Sequence, residues 1–382
     1  MSHFNYFDNN ATTAIAPEVF EAMVPFLTEH YGNPSSAYGF GKKVRIAVEQ
    51  ARAQVAALIN AEPSEIYFTS CGTESDNAAI WSALRSTKKR HLITSQVEHS
   101  AVLHMGESLE QQGYGVTWLP VLADGTLDLV TLEDSIRPDT AIVSLMWANN
   151  ETGVLFPIEK IAAICREKKV LFHTDAVQCP GKVPIDVKSL AVDFLAISGH
   201  KLHAPKGVGV LYVRKGVPFI PFQIGGGQER GKRAGTENVT SIIGLGKAAE
   251  IAKENLIEEQ TRVRAMRDRF ENRILELVAG ARVNGNRAER LPNTANICFQ
   301  GADAQELLAI LDEQGICCSA GSACTTGSVE PSHVLSAMGV SQTDAKSSLR
   351  FSFSHFNQDS EIDRALELIP HLVETLKQKV TI

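Results

Sequence analysis

Short apolar runs alternate with amphipathic stretches along most of the chain, from about residue 17 to residue 258. The runs have the length of buried strands, as at 140–147 and 193–198. The intervening stretches, such as 43–59, place apolar residues three and four positions apart, which predicts helices. Strands separated by helices predict right-handed βαβ units and a mostly parallel sheet.

The order of elements changes after a long helix predicted over 262–278. The chain then reads as strand, helix, two strands and a final helix at about 360–379. We therefore predict a large α/β domain over residues 16–258 and a smaller α/β domain made of 1–15 and 259–382.

Composition and charge narrow the class of protein. The 382 residues include 37 Lys+Arg and 44 Asp+Glu, a net charge of −7, which argues against a nucleic-acid or anionic-membrane partner. Apolar runs long enough to span a bilayer and the features of a signal peptide are both missing from the sequence. Seven cysteines, an odd number, suggest reduced thiols. We expect a cytoplasmic protein.

The turn at 67–75 is the first candidate for chemistry. Small residues, Gly72 and Thr73 among them, lie where a strand gives way to a helix. The backbone N–H groups and positive dipole at such a helix end suit a phosphate group. An ordinary helix cap by Ser70 or Thr73 explains the same residues.

Lys201 follows the apolar run that ends near Ser198, with His200 beside it. A lysine that is desolvated there can have a lowered pKa and form a Schiff base. A solvated loop lysine is the alternative, and the residues alone leave both open.

Asp175 and His99 each come directly after a predicted strand, and Gln178 follows three residues after Asp175. Ligands bind beyond the carboxyl ends of parallel strands, so both residues face the expected crevice. Taken singly, Asp175 fits a helix cap and His99 a capping or core residue. With Lys201 and the phosphate-type turn, they provide what pyridoxal phosphate requires: a phosphate cup, an anion, a stacking ring and a lysine.

Ordered motifs run from the N-terminus to the C-terminal domain, and through them the sequence resembles the cysteine desulfurases, most closely the nitrogen-fixation type. These belong to class V of the fold-type I pyridoxal-phosphate enzymes. The resemblance implies a large domain with a mostly parallel mixed sheet and a smaller α/β C-terminal domain. The motifs span residues 8–13, 32–36, 72–75, 97–99, 147–153, 173–178, 198–207, 233–238 and 321–325.

The resemblance also implies roles around the cofactor. Lys201 carries pyridoxal 5'-phosphate and moves the proton at the substrate Cα. Asp175 pairs with the pyridinium nitrogen, Gln178 lies by the phenolic oxygen, and His99 stacks on the ring and takes part in acid–base steps.

The phosphate cup is implied to contain residues of two subunits, and hence a homodimer. Gly72, Thr73, Ser198 and His200 come from one chain, and Thr236 reaches the cup from its neighbour.

Asn150 and Arg350 match the residues that hold the substrate carboxylate. Strand alternation independently places Arg350 on the face opposite Leu349 and Phe351. A planar guanidinium suits bidentate binding of a carboxylate. A surface arginine on that strand is the alternative.

Cys324 matches the residue that takes the sulfur, and its small, polar neighbours suit an accessible thiol. Cys317 and Cys318 are nearby competitors, but the three do not have the spacing of a zinc site. As a metal ligand, Cys324 is expected only through its persulfide, at a cluster shared with a scaffold protein. Many members have small aliphatic residues where this chain has Cys317 and Cys318, and an arginine where it has His355. Both differences leave open how a partner protein docks.

We therefore predict an L-cysteine desulfurase, which converts L-cysteine to L-alanine and a persulfide on Cys324. An iron–sulfur scaffold or another acceptor would then take the sulfur. A selenocysteine lyase or another class V enzyme is the enzymatic alternative, and a noncatalytic binding protein is the alternative from another class.

Overall fold

The computed structural model describes residues 4–321 and 331–380, and its centre is a seven-stranded sheet. Its strands are β2 (Ile66–Thr69), β3 (His91–Ser95), β4 (Gly115–Leu119), β5 (Thr140–Ser144), β6 (Leu171–Asp175), β7 (Phe194–Ser198) and β8 (Gly209–Val213). In space they follow the order β2-β8-β7-β6-β5-β3-β4. Strand β8 is antiparallel to both of its neighbours, and the other pairings are parallel.

Helices connect these strands, as the alternating pattern predicted. They are α1 (Pro17–Thr28), α2 (Gly39–Leu58), α3 (Gly72–Thr87), α4 (Ser100–Gln111), α5 (Leu129–Ser135), α6 (Ile158–Glu167) and α7 (Val239–Glu254). The mostly parallel mixed sheet confirms the predicted fold class. Strand β4 was not predicted, because four of its five residues are only half-buried and give a weak apolar signal.

A second group of elements follows. A three-residue helix α8 (Leu256–Glu258) and a π-helical turn (Glu259–Val263) lead into α9 (Arg264–Leu277), so the helix predicted from residue 262 begins irregularly. The remaining strands are β1 (Asn5–Tyr6), β9 (Ala281–Val283), β10 (Thr294–Phe299), β11 (Ile316–Cys317) and β12 (Ser348–Ser352). The remaining helices are α10 (Ala304–Glu313), α11 (His333–Ala337), α12 (Gln342–Ala345) and α13 (Asp359–Val380).

Strands β12, β10 and β9 form an antiparallel sheet in that order, and β1 pairs with β11. The N-terminal strand brings Phe7 into an aromatic cluster with Phe270 and Phe353. This core lies apart from the two apolar clusters of the large sheet. That separation supports the proposed division into residues 16–258 and 1–15 plus 259–382, although Val334 and Leu335 of α11 pack with one of the large-sheet clusters.

Among the described residues, no helix combines the length and apolar character needed to cross a membrane.

Candidate active site

A cavity of about 220 Å³ opens at the carboxyl edge of the parallel strands. Ten of the twelve residues predicted for the site line it: Gly72, Thr73, His99, Asn150, Asp175, Gln178, Ser198, His200, Lys201 and Arg350. Of the remaining two, Thr236 lies on an exposed loop outside this lining, and Cys324 lies outside the described residues.

Lys201 ends a short 3₁₀ turn, Gly199–Lys201, that directly follows β7. Its Nζ donates hydrogen bonds to the main-chain oxygens of Asn10 (2.5 Å) and Ala11 (2.7 Å). The N-terminal motif therefore fixes the amine at the cavity wall through its backbone. The motif at residues 8–13 was recognised in the sequence, but no role was predicted for it.

Asp175 is the last residue of β6, and its carboxylate accepts a hydrogen bond from Val177 N at 2.9 Å. Burial raises its pKa, while the electrostatic influence of His99, the Val177 bond and the charge of Lys201 oppose the rise. Asp76 on α3 lines the same cavity, and its pKa is raised by burial and by the neighbouring Asp175. A buried carboxyl beside another negative charge favours a nearby cation, and a protonated ring nitrogen would supply one.

The phosphate-type turn lies at the N-terminus of α3, with Gly72 as its first helical residue. A Cβ on Gly72 would come within 2.7 Å of Val177 Cγ2. The position therefore requires glycine, because the backbone of the turn passes close to the Val177 side chain. The first N–H groups of a helix have no intrahelical acceptor, and they face an anion favourably. His200 lies nearby, and burial, followed by the charge of Lys201, lowers its pKa to about 4.

Two buried polar atoms on the cavity's residues have no hydrogen-bond partner within the described chain, Gln178 Oε1 and Arg350 Nε, whereas Asp76 Oδ1 lies 3.3 Å from His173 Nε2. Buried polar groups are normally paired, so unpaired ones indicate where a polar ligand binds. With the glycine cradle and the held lysine, they fit pyridoxal phosphate in this cavity.

Arg350 lies in the middle of β12 with 1% of its side chain exposed, so the surface-arginine alternative is wrong. One terminal nitrogen donates to Asp8 Oδ1 at 2.6 Å and the other to Asn150 O at 2.9 Å. Strand alternation therefore placed the residue correctly, but it could not identify Asp8 as a partner 342 residues away.

His99 caps α4, with Nδ1 accepting a hydrogen bond from Ala101 N at 3.2 Å. Its neighbour Glu98 is fully buried, and burial raises the pKa of Glu98 to about 8. Ser95 Oγ and Met146 N donate to that carboxyl. Sequence reasoning did not assign Glu98 or Asp76, although each lies within or next to a motif that it singled out.

The sheet and the cavity together define a pyridoxal-phosphate enzyme of fold type I. The chain belongs to the aminotransferase class-V family, whose model matches residues 5–365. Class-V members and cysteine desulfurases use pyridoxal phosphate as their cofactor.

Proteins similar to this chain include cysteine desulfurases. The chain is 54% identical over 376 residues to a cysteine desulfurase of Trichormus azollae, covering 97% of this chain and 93% of that protein. It is 52% identical over 374 residues to the cysteine desulfurase NifS of Azotobacter vinelandii, covering 97% and 93%. A solved NifS-like protein superposes with a TM-score of 0.92 at 39% identity, covering 98% of this chain and 100% of that one. SspA in complex with cysteine superposes with a TM-score of 0.82 at 38% identity, covering 91% and 98%.

Proposed function

We propose that this protein is a pyridoxal-phosphate-dependent L-cysteine desulfurase, with Cys324 as the acceptor of the sulfur atom. The observation that carries the proposal is the cavity itself, which brings Lys201, Asp175 and Arg350 to one enclosed space. A Schiff-base lysine, a buried carboxyl for a ring nitrogen and a cation for an α-carboxylate are what an amino-acid-converting enzyme of this family needs. The similarity to cysteine desulfurases supports cysteine as that amino acid.

Each residue then has a defined task. Arg350 and Asn150 hold the substrate carboxylate, and the Lys201 amine accepts the Cα proton and returns it. Bound pyridoxal phosphate supplies an electron sink that lowers the cost of negative charge at Cα. With the cofactor bound, Asp175 would pair with the protonated ring nitrogen, and His99 would stack on the ring. His200, with its pKa of about 4, is neutral at pH 7 and can donate a hydrogen bond in the phosphate cup.

The sulfur step needs a nucleophilic thiolate. We propose that the Cys324 thiolate attacks the substrate γ-sulfur, so that an S–S bond forms as the Cβ–S bond breaks. The electron pair stays with the carbon skeleton, Cβ takes a proton, and L-alanine leaves. The persulfide sulfur then passes to an iron–sulfur scaffold or another thiol acceptor, and Cys324 would touch iron only at that stage. A reducing cytoplasm suits this chemistry, and the six described cysteines are all free.

We also propose that the working unit is a homodimer. Thr236 is exposed and lies outside the cavity of its own chain, as expected of a residue that completes a neighbour's phosphate cup. Large apolar side chains are exposed on and around α1 and near Thr236, and such surfaces usually contact another protein. They include Phe20, Leu27, Tyr31, Tyr38 and Ile224.

The decisive experiment is an assay of purified, cofactor-loaded protein with L-cysteine and a thiol reductant. Sulfide and L-alanine should appear in equal amounts, and sedimentation should give twice the mass of one chain. A product other than L-alanine would contradict the reaction, and alanine from a selenium substrate alone would favour the lyase.

A further inference from the structure

Arg350 already has an anionic partner before any substrate arrives. Its terminal nitrogen lies 2.6 Å from Asp8 Oδ1, and the Arg350 side chain is 1% exposed while that of Asp8 is 15% exposed. The Nε of Arg350 is buried without a partner in the described chain. A substrate carboxylate can bind the guanidinium as a fork through Nε and one terminal nitrogen. Each terminal nitrogen carries two N–H groups, so the substrate can share the nitrogen that holds Asp8, and the two carboxylates then lie side by side on one guanidinium.

Asp8 is connected to a second part of the site through its other oxygen. Ser319 Oγ donates to Asp8 Oδ2 at 2.8 Å, and the backbones of Ser319 and Arg350 exchange hydrogen bonds of 3.1 and 2.7 Å. Ser319 lies five residues before Cys324 along the chain. The Asp8 carboxylate therefore connects Arg350, the proposed ligand of the substrate carboxylate, to Ser319, which precedes Cys324 in the sequence.

We propose that Asp8 is a positioning residue that holds the Arg350 guanidinium until the substrate carboxylate weakens this contact, and that the weakening alters its bond to Ser319. The inference builds on the proposed function, because it takes an amino-acid carboxylate as the ligand of Arg350. Its physical basis is that two carboxylates sharing one buried guanidinium repel each other, so that binding of the second weakens the contacts of the first.

The first test is Asp8→Asn, which keeps an oxygen able to accept from Arg350 but removes the competing charge. Binding is followed by absorbance titration of the cofactor-loaded protein with L-alanine, the expected product, and with cysteamine, which lacks the carboxylate. L-Alanine should bind at least about threefold more tightly to the variant, because an anion is attracted to an uncompensated cation. Cysteamine should bind as in the wild type.

Asp363→Asn is the matched control. Asp363 is 58% exposed on α13 and pairs with Arg269 at 2.6 Å, so this variant makes the same change of charge away from the cavity. It should leave both titrations unchanged. Weaker or unchanged L-alanine binding by Asp8→Asn would overturn the inference, and equal weakening for both ligands would show that Asp8 is merely structural.

The second test is hydrogen exchange of the peptide covering residues 316–321, which does not depend on turnover. L-Alanine should change its exchange in the wild type, whereas cysteamine should not. Ser319→Ala, which retains the Asp8–Arg350 pair, should bind L-alanine normally but lose the change in exchange. An unchanged peptide in the wild type would refute the link, even if Asp8→Asn failed to fold. If L-alanine binding responds as expected but sulfide never forms from cysteine, the desulfurase proposal fails while this inference stands.

Discussion

Two walls of the same cavity are built by different means. The cofactor wall, made of Gly72, Asp175 and Lys201, lies at the ends of strands and the start of a helix in the large sheet. The substrate wall, made of Asn150 and Arg350 with Asp8 as the ion-pair partner of Arg350, joins segments that lie far apart in the chain. In the first wall regular elements of the large sheet set the backbone positions, and the N-terminal motif holds the Lys201 amine. In the second wall Arg350 comes from β12, and its contacts are all with residues far away in the sequence.

The two walls should therefore respond differently to amino-acid substitutions. The residues of the cofactor wall are held by elements whose strands are almost entirely buried, so changing one side chain leaves the others in place. The substrate wall depends on a chain of contacts from Ser319 through Asp8 to Arg350 and Asn150. We therefore expect changes in the first wall to abolish one function cleanly, and changes in the second to alter several together.

The largest effect is expected for Lys201→Ala. Purified wild-type protein should be yellow, and borohydride should fix the chromophore to the peptide that contains Lys201. The variant should lose that covalent product and essentially all sulfide release. Mass spectrometry of the reduced, digested protein measures the attachment.

Lys206→Ala is the control for that experiment, because Lys206 is exposed five residues further along the chain. It should keep both the covalent product and the activity. Recovery of the reduced cofactor on Lys206 or on buried Lys182 would show that the cofactor wall has been assigned wrongly.

Cys324→Ala should be nearly as severe for turnover but should leave both walls intact. With cysteine and no reductant, the wild type should gain one sulfur atom on the Cys324 peptide. The variant should still bind cysteine, because binding uses Lys201 and Arg350, yet release almost no sulfide. Absorbance titration and peptide mass spectrometry separate the two readouts.

Cys317→Ala serves as its control, since Cys317 is partly exposed at the end of β11. This variant should form the Cys324 persulfide normally. Normal turnover by Cys324→Ala would refute the persulfide step and favour the lyase alternative.

Arg350→Ala tests the substrate wall directly. Loss of a charge-assisted partner in a buried site costs on the order of 2–4 kcal/mol. At about 1.4 kcal/mol per factor of ten, the KM for cysteine should rise by roughly 30-fold or more. Lysine should rescue only partly, because an ammonium lacks the planar fork. The yellow colour should survive in both variants.

The Arg350→Ala change also leaves Asp8 without its cation, next to the place of the substrate carboxylate. Adding Asp8→Asn should therefore recover part of the lost affinity. Loss of the cofactor from Arg350→Ala, with cysteine binding intact, would move Arg350 to the cofactor wall.

The same contrast explains what could be predicted from the sequence. Lys201, Asp175 and Gly72 follow, end or begin regular elements, so apolar runs and short motifs were enough to locate them. The fold class followed from the same alternation. The family resemblance indicated the residues of the substrate wall, but not the ion pair between Asp8 and Arg350, since its partners are 342 residues apart.

The buried acids were missed for a different reason. Asp76 and Glu98 lie among helix- and turn-forming residues that give no sign of burial. Only the packed fold shows that both are at most 1% exposed, and that burial raises their pKa values. A sequence pattern reports which residues alternate, whereas a pKa depends on everything that surrounds the group.

The smallest expected effect concerns Glu98, the buried chain neighbour of His99, whose carboxyl accepts from Ser95 Oγ and Met146 N. Its pKa is raised by burial from 4.5 to about 8, so the folded protein holds this proton more tightly than the unfolded chain. The stabilisation from that proton is complete below about pH 4.5 and is lost as the pH rises toward 8.

Glu98→Gln, which has no such proton to lose, should therefore show a weaker decline in thermal stability between pH 5 and pH 9. The difference in Tm change should be on the order of 2 °C, measured on cofactor-free protein by calorimetry. Glu159→Gln at an exposed position of α6 is the matched control and should follow the wild type. Parallel Tm curves for wild type and Glu98→Gln would mean that Glu98 is ionised throughout, and that its surroundings are more hydrated than its burial indicates.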